Sequence, residues 1–373
     1  MTKICHMSTA HNASDIRIVR KECRAAVNAG FDTVVVVRGE LPADCGKVRQ
    51  VKVAAPSGGR LARFVLGAAR IYRMAMRENA DIYHFHDPDL LPYGLVMRAR
   101  GAKVIYDAHE DVPRDILSKD WIPGPMRRLV STTFEAFEDY AARRMTAVVA
   151  ATPHIGERLR AVNPQTVIVN NYPFSDELAS SAEGCVDAEQ ARTAFCYVGG
   201  VSSIRGAREM LEATRISELG LRIAGPIETE ALQRQMQSHD GWRFAEYLGV
   251  IDREAVRRLM NRSIAGLVLF HPEPNHVNAQ PNKLFEYMSA GIPVIASHFP
   301  LWRDIVERFD CGICVDPLDP ARIAEAMRLL AGDPPLARRM GYNGRAAVLE
   351  RFNWEQEQGR LLQLYRELSG SAV

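Results

Sequence analysis

Nowhere in these 373 residues does an apolar run approach the roughly 20 residues a membrane-spanning helix needs. The opening MTKICHM leads straight into a strand pattern without the layout of a signal peptide. A cytoplasmic location is the expectation. Cysteine is scarce: seven, scattered and odd in number, which speaks for reduced thiols and against a disulfide framework. Cys311-Gly-Ile-Cys314 has redox or zinc spacing, but no second pair or nearby histidine completes a ligand set, and its flanks look like a short strand and a turn. The G-x-G-x-x-G that a dinucleotide fold places after its first strand is also missing, which counts against a nicotinamide enzyme. Nothing resembles a nucleic-acid-binding module, so no nucleic-acid partner is expected.

What is present is a regular alternation. Strand patterns at Ile4–Met7, Thr33–Val37, Ile82–Phe85, Val104–Tyr106, Ala147–Ala151 and Val167–Val169 are separated by helical patterns at 16–29, 61–77, 90–100 and 126–145. The second half repeats the habit from Phe195–Val198 to Gly312–Val315. Such alternation predicts parallel sheets covered on both faces, an α/β chain of two doubly wound domains facing across a cleft. The expected division is 1–170, a polar linker at 171–193, 194–350, and a C-terminal helix within 351–373 packing across the junction. The net charge of +2 hides an asymmetry. Residues 1–170 carry an excess of seven positive charges and the remainder an excess of five negative ones. A basic first half suits an anionic partner.

In such sheets ligands bind beyond the carboxyl ends of the strands, so those loops hold the candidates. After the first strand comes STAHNASDIR, where Asp15 either caps the following helix or lines the cleft with His11, Asn12 and Arg17. His84-Phe85-His86-Asp87-Pro88-Asp89 ends another strand; Pro88 favours a capped helix start over a metal-binding Asp-x-Asp pair. Tyr106-Asp107-Ala108-His109-Glu110-Asp111 puts a histidine among carboxylates just past a strand, a better place for polar work than for core packing. In the second half, Gly199-Gly200 allows close backbone approach to a ligand, and Arg205 offers a planar fork for phosphate. The segment Phe270–Ser297 is a strand end, a loop rich in Pro, His and Asn, a helix opening at Pro281, and a second strand. An open helix N-terminus suits phosphate, and Glu286 one turn further in suits a diol such as ribose. The combination describes a nucleoside diphosphate with something attached.

These residues resemble the retaining glycosyltransferases of family 4, also called group 1, which have the GT-B fold of two Rossmann-like domains. YVGGVSSIRG, LRIAGP, FAEYLGVIDREAVRRLM, Phe270–Ser297, LDPARIAEAMRLL and ARRMGYNGRAAVLERFNWE carry the resemblance, which is strongest in the second half. It implies that Glu286 is the second glutamate of a Glu–seven residues–Glu pair and binds the donor ribose. Arg205 falls where a phosphate-binding lysine is usual, and His109 falls on the histidine beside the transferred sugar. Gly199, Gly200, Arg205, Asn282, Lys283, Leu284 and Glu286 would surround the donor, with His109, Glu286 and Asn278 as the catalytic set. His11, Asp15, Arg17 and Glu110 would face the acceptor. The chain departs from the pattern in four places: Asn278 replaces the first glutamate, Ala279-Gln280-Pro281 replaces Gly-Phe-Gly, Gly200 replaces an arginine, and HNASDIR replaces a glycine-rich acceptor loop. Lys283 would supply part of the cation missing at Gly200.

The resemblance implies transfer of a sugar from a UDP- or GDP-linked donor to a hydroxyl of a sugar or lipid-linked acceptor, in polysaccharide, glycolipid or glycoconjugate synthesis. Neither metal nor other cofactor is expected. The alternatives are an epimerase or hydrolase of nucleotide sugars, or a non-catalytic binder suggested by Asn278. The stretches RLARFVLGAARIYRMAMR and WIPGPMRRLV admit two readings: ordinary amphipathic helix, or peripheral contact with anionic lipid at the cytoplasmic face.

Overall fold

The computed structural model describes residues 1–42, 45–54, 66–119, 121–178 and 192–370. Arg60, Arg63 and Phe64 of the first basic stretch, and 179–191 of the expected linker, lie outside the described residues. The chain divides into two compact units, Met1–Asn171 with Trp354–Val373, and Tyr172–Asn353. The C-terminal helix Trp354–Ser369 therefore belongs to the first unit, and Tyr172–Leu178, read as linker, belongs to the second.

The first unit is built on β1 (Lys3–Asn12), β2 (Asp32–Arg38), β3 (Arg49–Lys52), β4 (Ile82–Phe85), β5 (Lys103–Ala108), β6 (Ala147–Ala150) and β7 (Thr166–Ile168). These form one seven-stranded sheet in the order β3-β2-β1-β4-β5-β6-β7. The second unit uses β8 (Ala194–Val198), β9 (Gly220–Ala224), β10 (Ala245–Gly249), β11 (Ser263–Val268), β12 (Val294–Ser297) and β13 (Gly312–Val315), in the order β10-β9-β8-β11-β12-β13. Every recorded pairing is parallel. Each order reverses once, between β1 and β4 and between β8 and β11. Those switch points open the crevices where a doubly wound sheet binds its ligand.

Strands β3 and β10 escape the sequence patterns for a common reason. Both are edge strands and incompletely buried, Arg49–Lys52 with Arg and Lys at its ends, so neither has the apolar run of the central strands. The helical pattern at 16–29 is real but unusually wound: Ile16–Cys23 has π geometry and only Arg24–Asn28 is α-helical. Asp15, Thr152, Thr229 and Asp252 each cap a helix by accepting from the amide three residues on, each worth about 1 kcal/mol.

Side chains alternate across β1, β4 and β5. Cys5 and Met7, Tyr83 and Phe85, and Val104 and Tyr106 pack into an apolar layer on one face. His6, His84 and Asp107 have the opposite parity and share the other face at the switch point, with His6 paired to His84 in register. In the second unit, Trp302 is fully buried and its indole N–H donates to the Ala279 carbonyl at 2.6 Å, which ties down the irregular loop before Asn282.

Candidate active site

In the second unit, β8 ends at Val198 and the chain turns through Gly199, whose φ of +121° suits glycine. Its carbonyl lies against Gly225, where a Cβ would come within 2.2 Å of the Gly199 oxygen. The glycine of LRIAGP thus lets the β9 turn press on the Gly199 loop. Lys283 lies directly over that loop, its ammonium 2.6 Å from where a Cβ on Gly199 would sit. Arg205 reaches back from a short 3-10 turn and donates to the Gly200 carbonyl at 3.2 Å. Both cations lie by the Phe270 ring, Arg205 at 5.5 Å and Lys283 at 5.6 Å from its centroid.

Lys283 makes no ion pair or hydrogen bond among the described residues. Burial lowers its ammonium to about 8, helped by the charge of Arg205. Glu286 opposes this shift through its charge, but it is paired to Arg253, and two cations brought together with no ion pair of their own among the described residues favour an incoming anion. Lys283 is the second residue of the helix Asn282–Ser289, whose N-cap, Pro281, offers no side-chain hydrogen bond to the free amides. Asn282 is exposed at this end. Leu284 is fully buried, so it contributes core packing and not a side-chain contact to a donor.

Glu286 is 17 % exposed and its carboxylate meets Arg253 at 2.7 Å; Arg253 also donates to Glu177 at 2.7 Å. Arg253 was not among the sequence candidates. It opens the helix Arg253–Asn261 within a stretch of alternating charges, and nothing local distinguishes it from Arg257 or Arg258. Asn278 is exposed on the loop, and its amide makes no hydrogen bond among the described residues.

The first unit holds a denser polar cluster. His6, His84, Glu22 and Asp107 are fully buried and His86 nearly so, with Tyr365 from the C-terminal helix beside them. His109, 14 % exposed, places Nε2 3.1 Å from His86 Nδ1 and 3.3 Å from Asp107. The His11 ring lies tilted against His109, centroids 5.2 Å apart, and bonds Asp15 at 2.8 Å. Asp15 also caps the helix through the Ile18 amide, so the two readings of that residue are compatible. Burial opposes its ionisation, but the His11 and Ile18 hydrogen bonds prevail and lower it to about 2. Glu110 is exposed.

Arg17 corrects the acceptor-side expectation. It is only 4 % exposed, donates to Asp107 at 3.0 and 3.2 Å and to the Val169 carbonyl at 2.9 Å, and lies 3.0 Å from Glu22. An α-helix would turn positions 17 and 22 away from each other, whereas the i to i+5 closure of the π turn brings them into line. Burial raises Asp107, yet Arg17 and His109 outweigh it and hold the carboxyl well below its usual range. Glu22, left beside a charged Asp107, is pushed well above its own, first by burial. Asp87 also differs from expectation. It does not cap Pro88–Leu90; it accepts from Ser8 Oγ at 2.6 Å and from the amides of Thr9 and Ala10, fixing the loop after β1. Among the described residues two sets of side chains could hold a metal ion: His6, Glu22, His84 and His86, or Glu22, His86, Asp107 and His109. No metal ligand was expected from the sequence. The signal available was His-x-His on a strand, which points both rings to one face.

Two family models match: Glycosyl transferases group 1 over residues 188–347, and Glycosyltransferase Family 4 over 17–171. The chain belongs to the group 1, family 4 glycosyltransferases. The transferase is 24 % identical to a glycogen synthase of Mycobacterium tuberculosis over 264 residues, 66 % of its own length and 59 % of the relative's. It thus spans less than two thirds of that relative. Among solved structures it is similar to sucrose-phosphate synthase from Thermosynechococcus elongatus, at TM-score 0.80, 20 % identity and full coverage of both chains. It is also similar to Anabaena Alr3699/HepE in complex with UDP and glucose, at TM-score 0.74 and 13 % identity, covering 98 % of this chain and 100 % of that one. The fold is GT-B.

Removing the buried cation should be costly. Arg17→Met is expected to destabilise the first unit by about 3–5 kcal/mol, because it leaves Asp107 and Glu22 uncompensated. Urea denaturation checks this, and an unshifted midpoint would mean that the guanidinium is dispensable.

Proposed function

We propose that this transferase moves a sugar from a nucleoside diphosphate, UDP- or GDP-linked, to a hydroxyl of a sugar or lipid-linked acceptor, with retention at the anomeric carbon. The observation that carries the proposal is the convergence of Arg205 and Lys283 on the Gly199-Gly200 turn beside an uncapped helix end. That arrangement is built for a diphosphate. The HepE structure, with UDP and glucose bound, is consistent with this donor class.

Three jobs follow. Arg205, Lys283 and the Asn282 helix end neutralise charge on the leaving diphosphate, the largest electrostatic demand of the reaction. Glu286, steadied by Arg253, accepts from the ribose hydroxyls, and Asn278 reads hydroxyls of the donor sugar without a charge. His109 acts beside the transferred sugar, with His11, Asp15 and Glu110 on the acceptor side. The leaving phosphate accepts the acceptor's proton on the same face, so positioning does most of the remaining work. No step at the diphosphate is routed through a metal.

A peripheral membrane contact fits the acceptor class. Trp121 is 68 % exposed, and Met126, Arg128 and Leu129 are exposed at the start of the helix Gly124–Ala142. Arg70, Arg73 and Arg77 are exposed too, while Ile71 and Ala75 of the same helix are core. Among the described residues no helix is long and apolar enough to cross a membrane.

Glu286→Ala should lower kcat/KM for the nucleotide sugar roughly 10- to 100-fold, the loss of hydrogen bonds to a charged acceptor. His109→Ala should abolish transfer while leaving nucleotide binding within a few-fold. Product analysis over an acceptor panel tests both, and unchanged kinetics in either variant removes that residue from the site. The pH profile supplies a second check. Lys283 is charged below about 8 in the free protein, so kcat/KM for the donor should be full below that pH and fall as pH rises through it. Lys283→Arg should flatten the fall, since its guanidinium stays charged; a fall that persists in this variant excludes Lys283 as its source. Flotation with liposomes should show binding that depends on anionic lipid and weakens in Trp121→Ala. Flotation indifferent to lipid charge would dispose of the membrane contact.

A further inference from the structure

The buried cluster under β1, β4 and β5 has a direction. His84 Nε2 faces Asp107 Oδ2 at 3.6 Å, so it carries the ring proton, because a lone pair there would oppose the carboxylate. His84 Nδ1 is then an acceptor and takes the Tyr365 hydroxyl at 2.7 Å. The Tyr365 oxygen in turn accepts from His6 Nε2 at 3.3 Å, which leaves His6 Nδ1 to accept from His86 Nε2 at 2.9 Å. This order leaves a lone pair on His86 Nδ1, which itself faces Asp107 Oδ2 at 3.3 Å; by the same argument that atom needs either a proton, which reverses the order from His86 to Tyr365, or a cation between it and the carboxylate.

His109 Nε2 at 3.1 Å is the donor this lone pair can take, and a metal ion would replace that proton. His86 Nδ1 lies 3.3 Å from Asp107 Oδ2 and 3.9 Å from Glu22 Oε2, both on fully buried carboxylates. Neither Glu22 oxygen has an aligned hydrogen bond, although Arg17 Nε lies 3.0 Å from one of them. The fourth atom is His109 Nε2, 3.1 Å from His86 Nδ1 and 3.3 Å from Asp107 Oδ2. All four lie within 4.8 Å of one another. Bonds of about 2.0–2.2 Å to a tetrahedral ion imply ligand separations of about 3.3–3.6 Å, close to the three shortest distances here. The rival set, His6, Glu22, His84 and His86, is weaker: its Nδ1 atoms on His6 and His84 already accept hydrogen bonds from His86 and Tyr365.

We propose that Glu22 Oε2, His86 Nδ1, Asp107 Oδ2 and His109 Nε2 form a binding site for a divalent transition cation of the zinc class. Two imidazole nitrogens select against magnesium and calcium, which prefer an all-oxygen shell. Arg17 on the carboxylates and the His86–His6–Tyr365–His84 chain form the outer layer that holds such ligands in orientation. With the rings neutral, binding requires both acids ionised; together with Arg17 and a divalent ion they leave the cluster one net positive charge. Entry is from the side of His109, the one partly exposed ligand. Ligation of Nε2 would put the His109 proton on Nδ1. The site is read from the first unit alone and does not rest on the proposed transfer reaction.

The full chain, stripped with a chelator and dialysed, should bind one equivalent of Zn2+ by isothermal titration, with proton release if Glu22 or His109 Nε2 was protonated. Glu22→Gln and His86→Gln should each weaken binding roughly 100-fold or more, at or beyond the upper end of the effect of outer-layer changes. Circular dichroism establishes that each variant is folded. The Co2+-loaded native chain needs no variant: an intense visible band is expected from tetrahedral nitrogen and oxygen ligands. No stoichiometric Zn2+ in the native chain, equal affinity in a folded variant, or a weak octahedral Co2+ spectrum would each overturn the site and leave a proton as the charge that completes the cluster.

Discussion

The first unit depends on one cation placed where water cannot reach. Arg17 sits beneath the sheet between Asp107 and Glu22, and three histidine rings complete the layer around them. Two carboxylates in this position repel each other and resist burial: Arg17 and His109 hold Asp107 well below its usual range, while burial and the charge of Asp107 push Glu22 above its own. The π-wound helix start is part of the same constraint. It aligns residues 17 and 22 and presents Glu22 to the sheet, at the expense of regular α-helical hydrogen bonding over Ile16–Cys23.

The second unit handles charge in the opposite way. Its cations are left unneutralised at the mouth of a glycine turn, supported by the faces of Phe270 and Tyr197. Lys283 keeps its position through the first turn of the helix Asn282–Ser289, and the glycine at 199 makes room for its ammonium. Glu286, by contrast, is held by Arg253. One site thus combines a carboxylate held by Arg253 with two cations that make no ion pair among the described residues. Such a site favours a ligand that is anionic at one end and rich in hydroxyls at the other.

Legibility differed between the two. The Gly-Gly turn, Arg205, Lys283 and Glu286 are close in sequence to strand ends and helix starts, where local rules place them. Arg253 was hidden because its partners, Glu177 and Glu286, come from distant segments. In the first unit the readable feature was the set of strand ends. The cluster beneath was not readable as a set, because His6, Glu22, His84, Asp107 and Tyr365 are spread over most of the chain. His84 and His86 look like the end of a strand until β1 is paired with β4. Leu284 and Arg17 show the converse: both stand beside candidate site residues in sequence, and both turn inward.

From sequence alone came the α/β class, the strand–helix alternation and the family, because these rest on periodicity and on short motifs whose geometry is local. The tertiary structure decided which polar residues are buried together, and which of two helical windings aligns Arg17 with Glu22. It also decided that the C-terminal helix carries Tyr365 into the first unit's polar core. Burial and mutual charge act through space, and in a parallel sheet nearest neighbours in space are joined by crossovers of dozens of residues. The chemistry of the His–carboxylate cluster therefore follows from strand order and register, which no stretch of the chain records by itself.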